Sequence, residues 1–425
     1  MPGVMLLTML LCFVLSVSVA VSIGMAGLLG VIRHGTLPLV VVPKEMFASL
    51  DKFPLLAIPF FVLAGKLMEE GGISNRLVEF AKSLVGGMQG GLAMSCVVTC
   101  LIFACVSGSS VATTFAVGAI LIPALVRMGY PVNFVAALQA TSAELGVIIP
   151  PSVPMILYGV TAEVSIGEMF VAGIGPGLLI AGALMLYVLI WARLTGHGKR
   201  DGEGRLKVLA ATRQSIWALM MPVIILGGIY GGVFTPTEAS AVAVVYALVV
   251  GVCIYKGLAL SAVPRVLRQS AVTTAVIMFI IMCAGLFSYL INHAGIPEVL
   301  GAYLKQTLSS PLSFLIGVNI ALFLIGMFVE TAAAIIVLAP ILAPVAVFYG
   351  IDPVHFGLII IVNLALGMIT PPVGVNLFAA CAVANISLDS MVRPLIAFVG
   401  VIVVCLFVLT AFPAISLTLR DWVYP

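Results

Sequence analysis

Two Pro-Pro pairs, Pro150-Pro151 and Pro371-Pro372, stand inside two of the most apolar stretches of this 425-residue chain. Proline lacks an amide proton and disfavours helix in the residue before it, so each pair breaks the backbone ladder of a helix. In hydrocarbon no water satisfies the freed groups, and such a break persists only where protein, an ion or an aqueous cavity supplies partners. The neighbouring residues are suited to that task. Ser107, Ser109 and Ser110 carry hydroxyls and carbonyls that can meet the carbonyls of Glu144, Gly146 and Ile149 beside the first pair. Thr331 with Gly326, Gly367 and Thr370 offers the equivalent set beside the second. Oxygen atoms of this kind can replace the hydration shell of a cation. The same small polar residues also serve simply to pack membrane helices, and that reading stays open for each set alone. A half-helix restarting after a break presents unpaired amides and a positive dipole end, suited to a carboxylate. Ser152, Asn376 and the backbone around Gly374 are the predicted contacts there, with Asn376 equally able to bond a neighbouring helix.

The two sets are related by a fixed offset. Pro150 and Pro371 lie 221 positions apart, and the same spacing pairs Pro123 with Pro344, Gly129 with Gly350, Gly146 with Gly367, and Ser110 with Thr331. Coincidence of so many residues at one offset indicates an internal repeat. Paired discontinuous helices in corresponding positions are the sequence signature of a secondary transporter with a midplane site.

The composition fits a membrane setting. The chain is 63% hydrophobic and 8% charged, with a mean hydropathy of +1.29. A soluble globule carries about 25% charged residues, so the fold class is an all-α polytopic membrane protein. Residues 4–30 are long enough to span, and no basic residue precedes them, so they read as a retained span and not a cleaved signal. A net charge of +3 gives no reason to expect nucleic acid as a partner. The eight cysteines sit in apolar runs without C-x-x-C pairing, and the four histidines form no ligand cluster, so neither a metal centre nor an organic cofactor is expected. An enzyme is disfavoured because the serines at 107–110 have no base nearby in sequence and no G-x-S-x-G elbow occurs. A channel is disfavoured because no ring-forming charge pattern appears.

Five regions follow. Residues 1–90 form an N-terminal span, a mixed connector over 33–52, a short apolar segment and an amphipathic arm. In that arm Leu77, Val78, Phe80, Ala81, Leu84 and Val85 recur at helical spacing. Residues 91–170 hold a first unit, with a span and re-entrant hairpin over 95–127 and a broken helix over 132–164. Residues 171–310 hold spans at 173–191, 216–233, 239–255 and 272–291 and a second arm at 297–309. Arg193, Lys199, Arg200, Arg205, Lys207 and Arg213 make the loop after the first of these cytoplasmic by the positive-inside rule, and Lys256, Arg265 and Arg268 follow in a later loop. Residues 311–392 form the second unit, with a span at 313–329, a hairpin at 330–344 and a broken helix at 354–383. Residues 393–425 close the chain with one span. This gives six crossings between hairpins, whereas inverted repeats require an odd number, so either one segment between 216 and 255 does not cross fully or another of the six is not a crossing.

Four motifs in order carry a family resemblance: Gly-Ser-Ser-Val-Ala from Gly108, Gly-x-x-x-Pro-Pro-Ser from Gly146, Phe-Thr-Pro-Thr-Glu-Ala from Phe234, and Pro-Pro-Val-Gly-Val-Asn-Leu-Phe from Pro371. Together they resemble the large membrane subunit of tripartite ATP-independent periplasmic (TRAP) transporters over the whole chain. The resemblance implies a sodium-driven elevator in the bacterial inner membrane, with two inverted repeats and an ion-transporter-superfamily-like architecture. It also implies two or more sodium ions, a small four-helix membrane subunit, a periplasmic substrate-binding protein, and an organic acid such as a C4-dicarboxylate, a 2-oxo acid or sialic acid. Under it, the oxygen sets above become sodium sites. Glu330 stands where many relatives carry Asp. A stand-alone sodium/dicarboxylate symporter needing no binding protein is the alternative.

Overall fold

The computed structural model describes residues 2–15, 17–34, 37–198, 208–308 and 310–424, and every regular element among them is a helix. Residues 4–30, expected as one span, form two helices packed on each other, α1 (Pro2–Val14) and α2 (Val19–His34). The ladder fails around Val17 and Ser18, where β-branched and hydroxyl side chains weaken helix. The Ser22 hydroxyl donates back to the Val17 and Ser18 carbonyls at 3.3 and 2.9 Å, supplying the end of α1 and start of α2 with a local partner. The expected connector contains a helix as well, α3 (Val41–Leu50), which meets the run Phe53–Glu70 at 62°. Most of that run is α4 (Ala57–Glu70). The arm α5 (Ile73–Val85) buries Ile73, Leu77, Val78 and Ala81 on one face. Glu79 and Lys82 pair at 2.7 Å off that face.

The first unit consists of α6 (Gly91–Ser107), α7 (Ser110–Arg127), α8 (Val132–Ala143), the single turn α9 (Leu145–Ile148) and α10 (Val153–Thr161). The broken helix bends by 42°. After it run α11 (Ile166–Thr195), α12 (Val208–Tyr230), α13 (Pro236–Val249), α14 (Val263–His293) and the second arm α15 (Ile296–Thr307). The second unit is α16 (Pro311–Gly326), α17 (Thr331–Phe348), α18 (Pro353–Met368) and α19 (Val375–Ala384), and α20 (Leu388–Ala411) and α21 (Ala414–Val423) end the chain. Both α7 and α17 have 18 residues, and their bounds differ by the sequence offset of 221. The basic residues Lys199, Arg200, Arg205 and Lys207 lie outside the described residues.

Seven helices among the described residues are long and apolar enough to cross a membrane, or nine if each bent pair counts as one span. Both Val208–Tyr230 and Pro236–Ile254 are long and apolar enough to cross, which favours the second alternative, a miscounted crossing elsewhere. The surplus crossing was elsewhere. Residues 313–329 belong to the 16-residue α16, which leads through four residues into α17 as the first arm of the second hairpin. Between the hairpins five candidate crossings remain: the first broken helix, α11, α12, α13 and α14.

The Thr-Pro-Thr-Glu motif starts α13. Thr235 N–H donates to Glu238 Oε2 at 2.8 Å and Glu238 N–H donates to Thr235 Oγ1 at 3.2 Å, a reciprocal capping box with proline at the first helical position. Aromatic stacking fastens the first unit to its flanks. Phe134 of α8 lies 3.7 Å, centroid to centroid, from Trp191 of α11 and 5.4 Å from Phe398 of α20.

Beyond the single closing span that the sequence predicts, the chain ends in a further helix, α21. Its Arg420 Nη1 donates to Asp352 Oδ2 at 2.8 Å, and Asp352 Oδ1 accepts from the Val354 and His355 amides as the N-cap of α18. Burial alone would raise the Asp352 pKa, but the guanidinium and the two amides outweigh it and hold the carboxyl below its usual value. The clasp is therefore complete above the ordinary carboxylate range and is lost as pH falls through the lowered value. Gly175 of α11 lets α21 approach, because a Cβ there would overlap the Ile415 carbonyl oxygen. Gly175→Val should release α21 at a cost of about 1–3 kcal/mol. Trypsin cleavage after Arg420, followed over time in detergent, should then run about tenfold faster than in the parent chain.

Candidate functional site

The hairpin tips and the helix breaks meet in the interior. At the first tip only Gly108 and Ser109 separate α6 from α7. Gly108 has φ +61°, and a Cβ on it would lie 3.0 Å from the Pro151 carbonyl oxygen, so the turn rests directly on the break. Ser109 caps α7, accepting from the Ala112 amide at 3.4 Å. The Thr113 hydroxyl donates to the Ser109 carbonyl at 2.7 Å and accepts from the Ser107 hydroxyl at 2.8 Å. Gly146 fits against this group only because it has no side chain, since a Cβ would fall 2.8 Å from both the Ser109 oxygen and Thr113 Oγ1. Ser107, Ser109, Gly146 and the break are thus brought together, as the sequence suggested.

The break itself is closed by local partners. Ser152 caps α10, accepting from the Met155 amide at 3.4 Å and donating to the Val147 carbonyl at 2.6 Å. The Ile149 amide donates to the Leu145 carbonyl at 2.8 Å, and the Glu144 carbonyl accepts from Val147 at 3.1 Å. Residues 149–153 are buried throughout.

Asn376, the second residue of α19, is fully buried, and its amide is saturated by the first unit. It donates to Glu144 Oε1 at 2.7 Å and to the Ala140 carbonyl at 3.0 Å, and it accepts from the Thr114 hydroxyl at 2.6 Å. One side chain therefore joins α7, α8, the turn at Glu144 and α19. Glu144 Oε2 has no partner of good geometry, and the Ser110 hydroxyl is the donor beside the carboxyl. Thr114 closes the small polar stretch 107–114 that begins with the predicted serines, and nothing in the sequence pointed to the Ala140 carbonyl.

The second junction is built differently. Gly326 and Gly367 touch backbone to backbone, a Cβ on Gly326 lying 3.2 Å from Gly367 Cα. Gly374 has φ +52° and its amide donates to the Met327 carbonyl at 3.4 Å, which places the second tip on the second break. The Thr370 hydroxyl donates to Leu366 at 2.8 Å, and the Thr331 hydroxyl points at Met368 Sδ at 2.9 Å. Glu330 caps α17, accepting from the Ala333 amide at 3.2 Å. It stands 221 positions after Ser109, the cap of α7, so one structural task is done by a serine in one unit and a glutamate in the other.

The junctions also differ in access. Around the second, Phe328, Glu330, Pro372, Val373, Val375 and Phe378 are exposed, whereas the first break is sealed. The start of α19 is thus the open side of the site, and its first amides have no partner within the helix. Arg127 is exposed at the end of α7, where Nε bonds the Pro123 carbonyl at 3.2 Å. A further buried polar group was not anticipated: Asn363 donates to Asn319 Oδ1 at 2.9 Å, and Asn319 donates to Thr410 at 3.1 Å, linking α18, α16 and α20.

Removing the Asn376 amide leaves the Glu144 carboxyl and the Thr114 hydroxyl buried without it. Asn376→Ala is expected to destabilise the chain by about 3 kcal/mol, read as a lowered midpoint of thermal unfolding in detergent. Asn376→Asp should do at least as much, because it sets a second carboxyl against Glu144.

Residues 6–415 match the family model described as "Tripartite ATP-independent periplasmic transporter, DctM component". The C4-dicarboxylate TRAP transporter large permease protein DctM of Pseudomonas aeruginosa is 41% identical over 401 residues, covering 94% of each chain. The isethionate TRAP transporter permease protein DctMQ of Oleidesulfovibrio alaskensis is 40% identical over 408 residues, covering 96% of this chain and 64% of that longer one. The sialic acid TRAP transporter large permease protein SiaM of Vibrio cholerae is 36% identical over 378 residues, covering 89% of this chain and 88% of the relative. Among solved structures, the Alcanivorax borkumensis YdaH transporter has the same fold, with a TM-score of 0.61 at 16% identity over 90% of this chain and 87% of that one.

Proposed function

The chain belongs to the tripartite ATP-independent periplasmic transporter family as its DctM component, the large membrane subunit, and from that premise we propose that it carries an organic acid anion inward by sodium-coupled elevator transport. The observation that carries this reading is the duplicated junction of hairpin tip and broken helix, set 221 residues apart. Such junctions gather carbonyls and hydroxyls away from water, which is what a desolvated sodium ion requires.

The two units act as inverted repeats, an arrangement that the five crossings between the hairpins permit. Ser107, Ser109, Ser110 and the carbonyls of Glu144, Gly146 and Ile149 hold one sodium ion. Gly326, Thr331, Gly367 and Thr370 hold another. The Thr331 hydroxyl, now on a thioether sulfur, is a weakly engaged oxygen ready to turn to an ion. The substrate carboxylate sits at the open start of α19 by Gly374, while Ser152 and Asn376 shape the site from behind, Asn376 through its hold on Glu144. Glu330 stands at the neighbouring tip and repels an anion until a cation is bound. That ordering couples the two cargoes.

Ties across the two units support movement as one body. Besides Asn376, the Tyr158 hydroxyl of α10 donates to the Pro353 carbonyl at the start of α18 at 2.8 Å. The arms α5 and α15, with α1–α4 and α12–α14, form the frame against which that body slides. The substrate is a carboxylate of the kinds that the relatives carry, a C4-dicarboxylate or sialic acid, delivered by a periplasmic binding protein with a small membrane subunit as companion in the inner membrane.

Energetics bounds the stoichiometry. An inward charge gains roughly 2.3 kcal/mol at 100 mV, and a tenfold sodium gradient adds roughly 1.4 kcal/mol per ion. Two sodium ions with a dianion cancel electrically and leave roughly 2.8 kcal/mol, about a hundredfold accumulation, and a third ion adds roughly 3.7 kcal/mol. Uptake of a dilute dianion should therefore be electrogenic, with more than two sodium ions per substrate.

The test is uptake of labelled C4-dicarboxylate or sialic acid into proteoliposomes holding this chain and its small subunit, with sodium and the binding protein each omitted in turn. Uptake should require both, and Ser110→Ala and Thr331→Ala should each raise the half-saturating sodium concentration about tenfold. Uptake without the binding protein would instead indicate a stand-alone symporter. Uptake indifferent to sodium would remove the ion assignments.

A further inference from the structure

We propose that the groove between the end of α4 and the start of α14 binds the phosphate headgroup of an anionic phospholipid. The groove measures about 430 Å³ and is lined by Lys66 of α4 and by Arg265, Arg268, Gln269, Val272 and Thr273 of α14. The five residues of α14 follow helical spacing, so they form one stripe that faces Lys66.

The charge is positive and incompletely neutralised. Arg265 pairs with Glu70 at 2.9 Å, and Glu69 lies close enough to Lys66 to feel its charge. Among the described residues neither Lys66 nor Arg268 has an ion-pair partner. Three cations against two carboxylates leave one positive charge, the complement of a single phosphodiester. The Gln269 amide adds a neutral donor in the same stripe, while the Thr273 hydroxyl donates to the Gln269 carbonyl at 3.1 Å.

The position of the groove selects lipid over a dissolved anion. It straddles the point where α14 changes from polar to apolar, and beyond Arg268 that helix carries no Asp, Glu, Lys or Arg to its end. Val272 and Val276, on the same stripe, are 60% and 56% exposed, a bare apolar track leading away from the cations for an acyl chain to cover. A headgroup phosphate at the cations with a chain along the valines uses both parts, whereas free phosphate would use only the first. The basic residues around α12–α14 place this end of α14 on the cytoplasmic side, so the lipid belongs to the cytoplasmic leaflet. The site is separate from the hairpin junctions and does not depend on their assignment.

The experiment is native mass spectrometry of the delipidated full chain titrated with phosphatidylglycerol, phosphatidylcholine or inorganic phosphate. The parent chain should show one saturable phosphatidylglycerol site and weaker phosphatidylcholine binding. Each lost charge should weaken phosphatidylglycerol about fivefold, so Lys66→Gln with Arg268→Gln should weaken it about twenty-five-fold. Arg393→Gln, an exposed position on α20, should leave it unchanged. If the double variant does not fold, Arg268→Gln alone should give the fivefold step. Equal phosphatidylglycerol affinity in the parent and the charge variants would overturn the proposal. So would displacement of the lipid by equimolar inorganic phosphate, which would mark a soluble-anion site, or equal affinity for phosphatidylcholine.

Discussion

The architecture depends on one requirement: the backbone groups freed by two proline breaks must be satisfied where water does not reach. The structure meets it at the first break with local bonds, the Val147 and Leu145 carbonyls accepting from the Ser152 hydroxyl and the Ile149 amide, and it rests a hairpin tip on each break. Gly108 lies against the Pro151 carbonyl, where a Cβ would fall 3.0 Å from the oxygen, and Gly367 lies against Gly326, where a Cβ would overlap the backbone. The hairpins α6–α7 and α16–α17 follow from this, since a tip must enter from the side and turn within a few residues. The flanking helices α11 and α20 then enclose the broken helices, with Phe134, Trp191 and Phe398 filling the space between.

The two junctions differ in chemistry while sharing a geometry. The first is rich in hydroxyls, sealed and internally bonded, and it holds the second unit through Asn376 and Glu144. The second is held by glycine contacts and is open at the start of α19. Such a division suits transport, because one half gives a rigid reference and the other gives access. A buried carboxyl held by an asparagine from the opposite unit also makes separation of the halves costly. The proposed slide of both units as one body would leave this bond intact.

Much of this was legible in the sequence because it rests on proline and glycine, whose backbone constraints are local. The breaks, the tips and the offset of 221 were read directly, and Ser107, Ser109 and Gly146 do meet. What was missed rests on tertiary contact. The division of residues 4–30 into α1 and α2 involves no proline or glycine, only Val17, Ser18 and the back-bonding Ser22. The first arm of the second hairpin is as apolar as a full span, so composition could not separate them, and only its junction with α18 shows what it is. The helix α21 has polar and apolar residues in short alternation, and its place is set by Arg420 reaching Asp352, 68 residues away. The bonds of Asn376 to Thr114 and Ala140 span more than two hundred residues and involve a carbonyl, which no side-chain pattern can announce.

The central claim is that the two junctions are sodium sites, and the most direct measurement is equilibrium binding of radioactive sodium to the purified chain without substrate. Saturable binding of at least two ions per chain, unaffected by replacing the accompanying anion, is the predicted result. An absence of saturable binding, or saturation at a single ion, would contradict the account.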